Sequence, residues 1–194
     1  MNKEIRAFGN ISVRNSEAEE SRIVEGYAVR FGEESQYIGF YETIDRSAIT
    51  EDTIKGSDVF AKLNHNDNDI LARSRYGEGS LTLELREDGL YYSFVAPNTR
   101  AGDELLEHIK RGEITSSSFA FTISQESGAE KWYRSQDDKL KRTIYKIDKL
   151  YDVSPVYEPA YPTTSCSARA EEVLLREEEV TKAMDVLDQE INEM

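Results

Sequence analysis

Between about residue 3 and residue 165 the apolar positions recur in short runs bounded by turn residues, the pattern of strands rather than of long helices. "IVEGYAVRFG" (23–32) is rich in β-branched and aromatic residues and ends on Gly32. "LTLEL" (81–85) alternates with period two, placing Leu81, Leu83 and Leu85 on one face. A turn at "EDG" (87–89) and the run "LYYSFVAP" (90–97) complete a predicted hairpin over 80–97. "SFAFTIS" (118–124) and "TIYKIDKLYDVSPVYEP" (143–159) predict two further strand regions, the second limited by Pro155 to an edge, a bulge or a break.

Two stretches carry helical spacing instead. "DRSAITEDTIKG" (45–56) predicts a short helix stopped by Gly56. "NTRAGDELLEHIKRG" (98–112) predicts a longer one, capped by Asn98 or Thr99, with Leu105, Leu106 and Ile109 on one face and Gly112 as its stop. Residues 124–142 are polar and read as a long loop carrying an exposed Trp132–Tyr133 pair. The pattern predicts a mainly β fold with a few helices (α+β), packed as one barrel-like or sandwich core.

The pattern changes near residue 169. Residues 168–194 hold nine acidic and three basic side chains, with no glycine or proline. Val173, Val180, Met184, Leu187, Ile191 and Met194 form a heptad seam with a polar gap near Arg176–Glu177. This predicts an acidic amphipathic helical tail (169–194) after a main domain (1–168). The helix packs on its own domain or projects toward a helical partner, a second copy of the chain included, and fraying or disorder of the tail is the remaining reading.

Composition narrows the function. A net charge of −14 repels a phosphate backbone or an anionic membrane, so neither nucleic acid nor membrane is expected as the main partner. The single cysteine, Cys166, excludes an intramolecular disulfide and a paired-cysteine zinc site. "MNKEIRAFGN" has no apolar signal region, and no run of about 18 apolar residues occurs, so the chain reads as cytosolic.

The candidate chemistry begins at "GEITSSSFAF" (112–121). In an extended strand Phe119, Phe121 and Ile123 face one way, and Ser116, Ser118, Ala120 and Thr122 the other. With the aromatics in the core, Ser118 faces outward or into a shallow groove, as a nucleophile or any solvated serine does. A serine needs a base, usually histidine. Of the two histidines, His108 falls at the edge of the second helix's apolar face. His65 follows the short apolar run of "FAKLNHNDNDILARS" (60–74), at a strand end, as a base or as a capped loop histidine. "NHNDND" fails as a calcium loop: counted from Asn64, Asp69 stands where glycine is required and Arg75 where the bidentate glutamate is. Asp152 in "KLYDVSPV" (149–156) is a charge inside a strand, suited to orient the base or to guard a sheet edge from aggregation; residue chemistry leaves both readings open.

The ordered set of motifs resembles the prohead (capsid-maturation) serine protease family of tailed bacteriophages, distantly similar to herpesvirus assemblin. It runs over about residues 20–168: "EGYAVRFG", "GFYETI", "LNHN" with "LARS", "GSLTLELREDGLYYSFVAPNT", "GDELLEHIKRGEITSSSFAF" and "LYDVSPVYEPAYPTT". The resemblance implies an assemblin-like, barrel-like antiparallel core and an endopeptidase needing no cofactor or metal. By resemblance the nucleophile is Ser118, the serine directly before Phe-x-Phe; the base is His65; the third member is Asp152, where the family more often has glutamate. Donors to the oxyanion are expected in the turn after Val156, before "EPAYP". The implied substrates are scaffold segments, the major capsid protein and the protease itself, cut inside the prohead in the host cytoplasm. On accessibility, loop 124–142 and the junction near Arg169 are candidate self-cleavage points. Two rival classes stand beside this: a non-catalytic internal scaffold using the tail, and a metal-dependent hydrolase built on His65 with Asp67 and Asp69.

Overall fold

The computed structural model describes residues 3–9, 11–13 and 22–157. Thirteen strands follow one another there: β1 (Glu4–Gly9), β2 (Ile11–Val13), β3 (Ile23–Arg30), β4 (Tyr41–Ile44), β5 (Asp58–Lys62), β6 (Ile70–Arg75), β7 (Glu78–Gly79), β8 (Leu81–Arg86), β9 (Gly89–Val95), β10 (Ser116–Ile123), β11 (Glu130–Arg134), β12 (Leu140–Ile144) and β13 (Ile147–Val156). Two α-helices join them, α1 (Glu51–Lys55) and α2 (Arg100–Lys110). The fold is mainly β, as the apolar runs predict.

The strands form three sheets. The largest has the order β1-β10-β13-β5-β6-β7, a second β2-β3-β9-β8, and a third β11-β12-β4. Phe119 and Phe121 of β10, Tyr92 and Phe94 of β9, and Val24 and Val29 of β3 meet in one core between the sheets. Burial of these large side chains contributes roughly 1.5–3 kcal/mol each. Leu105 of α2 is fully buried and docks that helix on the same core.

Several expectations are corrected. Among the described residues no closed barrel forms: β1 and β7 are the edges of one sheet, β2 and β8 those of the next. The chain turns a corner between sheets after β1 and again after β7, instead of laddering across. Gly79 makes the second corner with φ +141°, where a Cβ would stand 2.2 Å from the Arg73 carbonyl oxygen, so only glycine fits. The sheets are also not wholly antiparallel, since β5 runs parallel to β13 and β4 to β12.

Residues 124–142 are not a long loop. They hold β11 and the start of β12, paired antiparallel from Glu130↔Ile144 to Arg134↔Leu140. Trp132 is half-buried against Phe40, with ring centroids 4.7 Å apart, while Tyr133 is exposed. The charged residues alternating through this hairpin hide its period from a sequence reading. The stretch 45–56 splits into a turn of 3-10 helix at Arg46–Ala48 and α1, whose cap is Thr50. Thr99 caps α2 by accepting from the Gly102 amide. Pro155 lies inside β13, beyond the Asp152↔Phe60 pairing with β5, where its missing N–H breaks no ladder bond with β5. The tail 169–194 and its heptad seam lie outside the described residues, as does Cys166.

Candidate active site

β10 is flanked on both sides, by β1 and by β13. Opposite residues of an antiparallel pair share a face, so Ser118↔Ser154 and Ala120↔Asp152 put Ser118, Ser154 and Asp152 on one side of the sheet. The register slips by one residue between Ala120 and Phe121, a bulge at Tyr151. Such a bulge adds local twist beside the site.

His65 arrives from the neighbouring strand. β5 pairs with β13 at Phe60↔Asp152, and the chain then enters a one-turn 3-10 segment, Leu63–His65. Asn64 and His65 have φ of 51° and 60°. Asparagine tolerates this left-handed region; histidine there carries backbone strain, of the kind concentrated at functional sites. The turn folds the imidazole back over β13 and toward β10.

The three side chains form one line of contacts. His65 Nδ1 lies 2.6 Å from Asp152 Oδ1, and His65 Nε2 lies 2.8 Å from Ser118 Oγ. An ionised carboxylate only accepts, so Nδ1–H donates to Asp152 and the neutral ring turns the lone pair of Nε2 toward the serine. Asp152 is buried, His65 is one-fifth exposed. Burial pushes the Asp152 carboxyl up; the hydrogen bond and charge of His65, together with Lys3, outweigh it and hold the carboxyl below its ordinary value. Ser154 Oγ donates to Asp152 Oδ1 at 3.0 Å, and Lys3 Nζ donates to Oδ2 at 3.1 Å.

The serine triplet separates cleanly. Ser117 faces the opposite side and shares a 2.6 Å hydrogen bond with Tyr92, whose hydroxyl burial pushes up in pKa. Ser118 is the one that meets His65. Its surroundings differ from the expected outward face or shallow groove: Ser118 is 0% exposed, with β1 along its strand and two acceptors for its one hydroxyl proton, His65 Nε2 and the Arg6 carbonyl oxygen, each 2.8 Å from Oγ.

The other candidates are placed elsewhere. His108 sits on α2, with Nδ1 2.5 Å from Glu113 Oε2 and its ring edge-on to Tyr157. The acids of "NHNDND" diverge: Asp67 pairs with Lys62, and Asp69 with Arg100 and Asn66. Among the described residues no group of three or more imidazole, thiol or carboxylate side chains is arranged to hold a metal. The stretch "EPAYP", expected to follow the oxyanion turn, lies outside the described residues. A sequence reading missed Ser154 and Lys3. Ser154 was within reach, because alternation from Asp152 puts it on the same face; nothing local signals Lys3.

Residues 9–178 match the family described as caudovirus prohead serine protease. The chain belongs to that family. It is therefore a serine protease of phage prohead maturation. The solved structure of the bacteriophage T4 capsid assembly protease, gp21, is similar over 80% of this chain and 98% of that one, with 11% identity and a TM-score of 0.49. No curated protein matches the chain. The family match starts at residue 9, so the protease carries nearly all of β1 ahead of the matched range.

Proposed function

We propose that the protease cuts peptide bonds through Ser118, His65 and Asp152. Ser118 Oγ attacks the scissile carbonyl carbon while His65 Nε2 takes the hydroxyl proton. Asp152 holds the ring by Nδ1–H and stabilises the imidazolium that forms. The tetrahedral intermediate collapses as His65 returns the proton to the leaving amine, giving an acyl-enzyme that water hydrolyses by the same steps. Carboxylate, imidazole and hydroxyl in unbroken hydrogen-bond contact are the observation that carries this reading.

The substrates of this reading are the major capsid protein, scaffold segments and the protease itself, cut within the prohead. Confinement suits a slow enzyme, because effective concentration replaces affinity. Residues 1–168 form the catalytic domain in this proposal. Residues 169–194 form a helical tail that docks on scaffold or capsid helices, or on a second copy.

Intact mass against time, for the full chain beside a folded Ser118→Ala form, is the test. Shortening of the unsubstituted chain alone supports the triad and locates the cut. Equal shortening of both chains removes Ser118 from the mechanism. The internal-scaffold reading has no observation of its own in its favour.

A further inference from the structure

His65 occupies a place in its turn that normally belongs to glycine. The Asn66 amide donates to the Leu63 carbonyl at 3.0 Å, closing a four-residue turn whose central pair is Asn64 and His65. Both are left-handed, with φ of 51° and 60°. Two positive φ values in succession make the mirror-image turn, for which asparagine followed by glycine is the preferred pair. Asn64 fills the asparagine place and the imidazole residue fills the glycine place. Ordinary L-residues avoid this region because Cβ crowds the following carbonyl oxygen; asparagine is one of the few that enter it.

The rest of the loop is fixed around this turn. Leu63 is buried, and its amide donates to the Asp69 carbonyl at 3.0 Å across the mouth of the loop. Asp69 accepts from Asn66 Nδ2 and from Arg100 of α2, each at 2.6 Å, and Lys62 donates to Asp67 at 2.5 Å. What remains to aim the imidazole is the backbone of residues 64 and 65. The ring must meet Asp152 at 2.6 Å and Ser118 at 2.8 Å through only two side-chain torsions. With both φ negative, the ordinary form of the turn sends the His65 Cβ off at another angle, and the two contacts are lost together. The exposed carboxamide of Asn64 has no hydrogen-bond partner among the described residues, so its contribution comes through the backbone.

We infer that Asn64 is a positioning residue: its tolerance of the left-handed region holds the turn in the form that seats His65 between Asp152 and Ser118. This rests on His65 being the base. The order of replacements at residue 64 then follows backbone preference and not side-chain chemistry. Glycine serves as well as asparagine, alanine serves worse, and valine worst, because a β-branched residue is an outlier at positive φ.

Two readouts on the full chain test this. The first is the initial rate of self-shortening, followed by intact mass at one protein concentration. The rate is expected to stay within about twofold for Asn64→Gly and to fall about tenfold for Asn64→Ala, the penalty of one ordinary residue held left-handed. Asn64→Val is expected to lose more. The second readout is the Nδ1–H proton of His65, whose short hydrogen bond to Asp152 moves its NMR resonance far downfield. It is recorded in Ser118→Ala chains that also carry His108→Gln, because His108 Nδ1 lies 2.5 Å from Glu113 and gives a second such signal. The resonance is expected to persist with glycine at residue 64 and to fade with alanine and then valine. Asn64→Val that keeps both rate and resonance overturns the inference. So does Asn64→Gly that loses them as valine does, since the carboxamide is then what matters. Urea midpoints show which variants fold; if valine does not, the comparison of glycine with alanine decides. The resonance needs no nucleophile, so its order stands or falls apart from the catalytic reading, which falls if Ser118→Ala still shortens.

Discussion

Asp152 Oδ1 stands 2.6 Å from His65 Nδ1, joining a buried strand carboxylate to a half-buried turn imidazole across 87 residues of chain. The contact sets which ring nitrogen carries the proton. Asp152→Asn keeps the shape of the side chain but frees the ring to reverse its tautomer. The expected loss in kcat is about 10⁴-fold, with folding retained. Steady-state cleavage of a peptide substrate checks it, and a loss below tenfold would show that Asp152 does not orient the base.

The same carboxylate gives a pH dependence. Its folded pKa lies below the ordinary 3.8, so near that value the folded chain binds fewer protons than the unfolded one. Stability from Asp152 is therefore complete above the unfolded value and fades as pH falls through the lower folded value. Urea unfolding of the protease and of Asp152→Asn, from about pH 6 down to about pH 3, is expected to show a gap that narrows with acid. A gap that widens has the wrong sign for this account.

Ser154 donates to the carboxylate that holds the ring. A hydrogen bond to a charged group contributes about 1.5–3 kcal/mol. Ser154→Ala is expected to lower kcat about tenfold, each 1.4 kcal/mol being a factor of about ten, with KM little changed. A change confined to KM would place Ser154 in substrate binding instead.

Ser117 and Ser118 are neighbours whose exchange of roles the fold forbids. Ser117→Ala strands the buried Tyr92 hydroxyl and is expected to destabilise by about 1–3 kcal/mol. Adding Tyr92→Phe removes both polar partners and is expected to restore much of that loss. Urea midpoints of the two singles and the double close the cycle, and strict additivity would mean the two hydroxyls do not interact.

Arg142 is the hub of the buried charges, bonded to Glu4, Glu42 and Glu130. Removing one side of a buried ion pair costs about 3–5 kcal/mol. Arg142→Ala is expected to show that loss in urea unfolding, whereas exposed Arg134→Ala, 40% exposed beside Asp138, shifts it by less than about 1 kcal/mol. Equal shifts would mean the buried cluster is no more than a surface pair.

Much of this protein was already determined along the chain. The hairpin 80–97 was legible because leucine alternation and the turn residues at 87–89 are local, and α2 because its cap, its apolar face and its glycine stop are local. The family resemblance singled out Ser118, His65 and Asp152 by their motifs, without their distances. Tertiary structure decided what depends on strands far apart in sequence. β5 running parallel to β13 brings His65 to Asp152, since only that direction carries the turn after β5 back over the sheet. The β11–β12 hairpin emerged from residues too charged to show a period, because the partners that cover Trp132 and Arg142, namely Phe40, Glu42 and Glu4, are distant in sequence. β1 beside Ser118 was invisible for the same reason: pairing is a backbone property, and the sequence of a strand does not say which edge it will join.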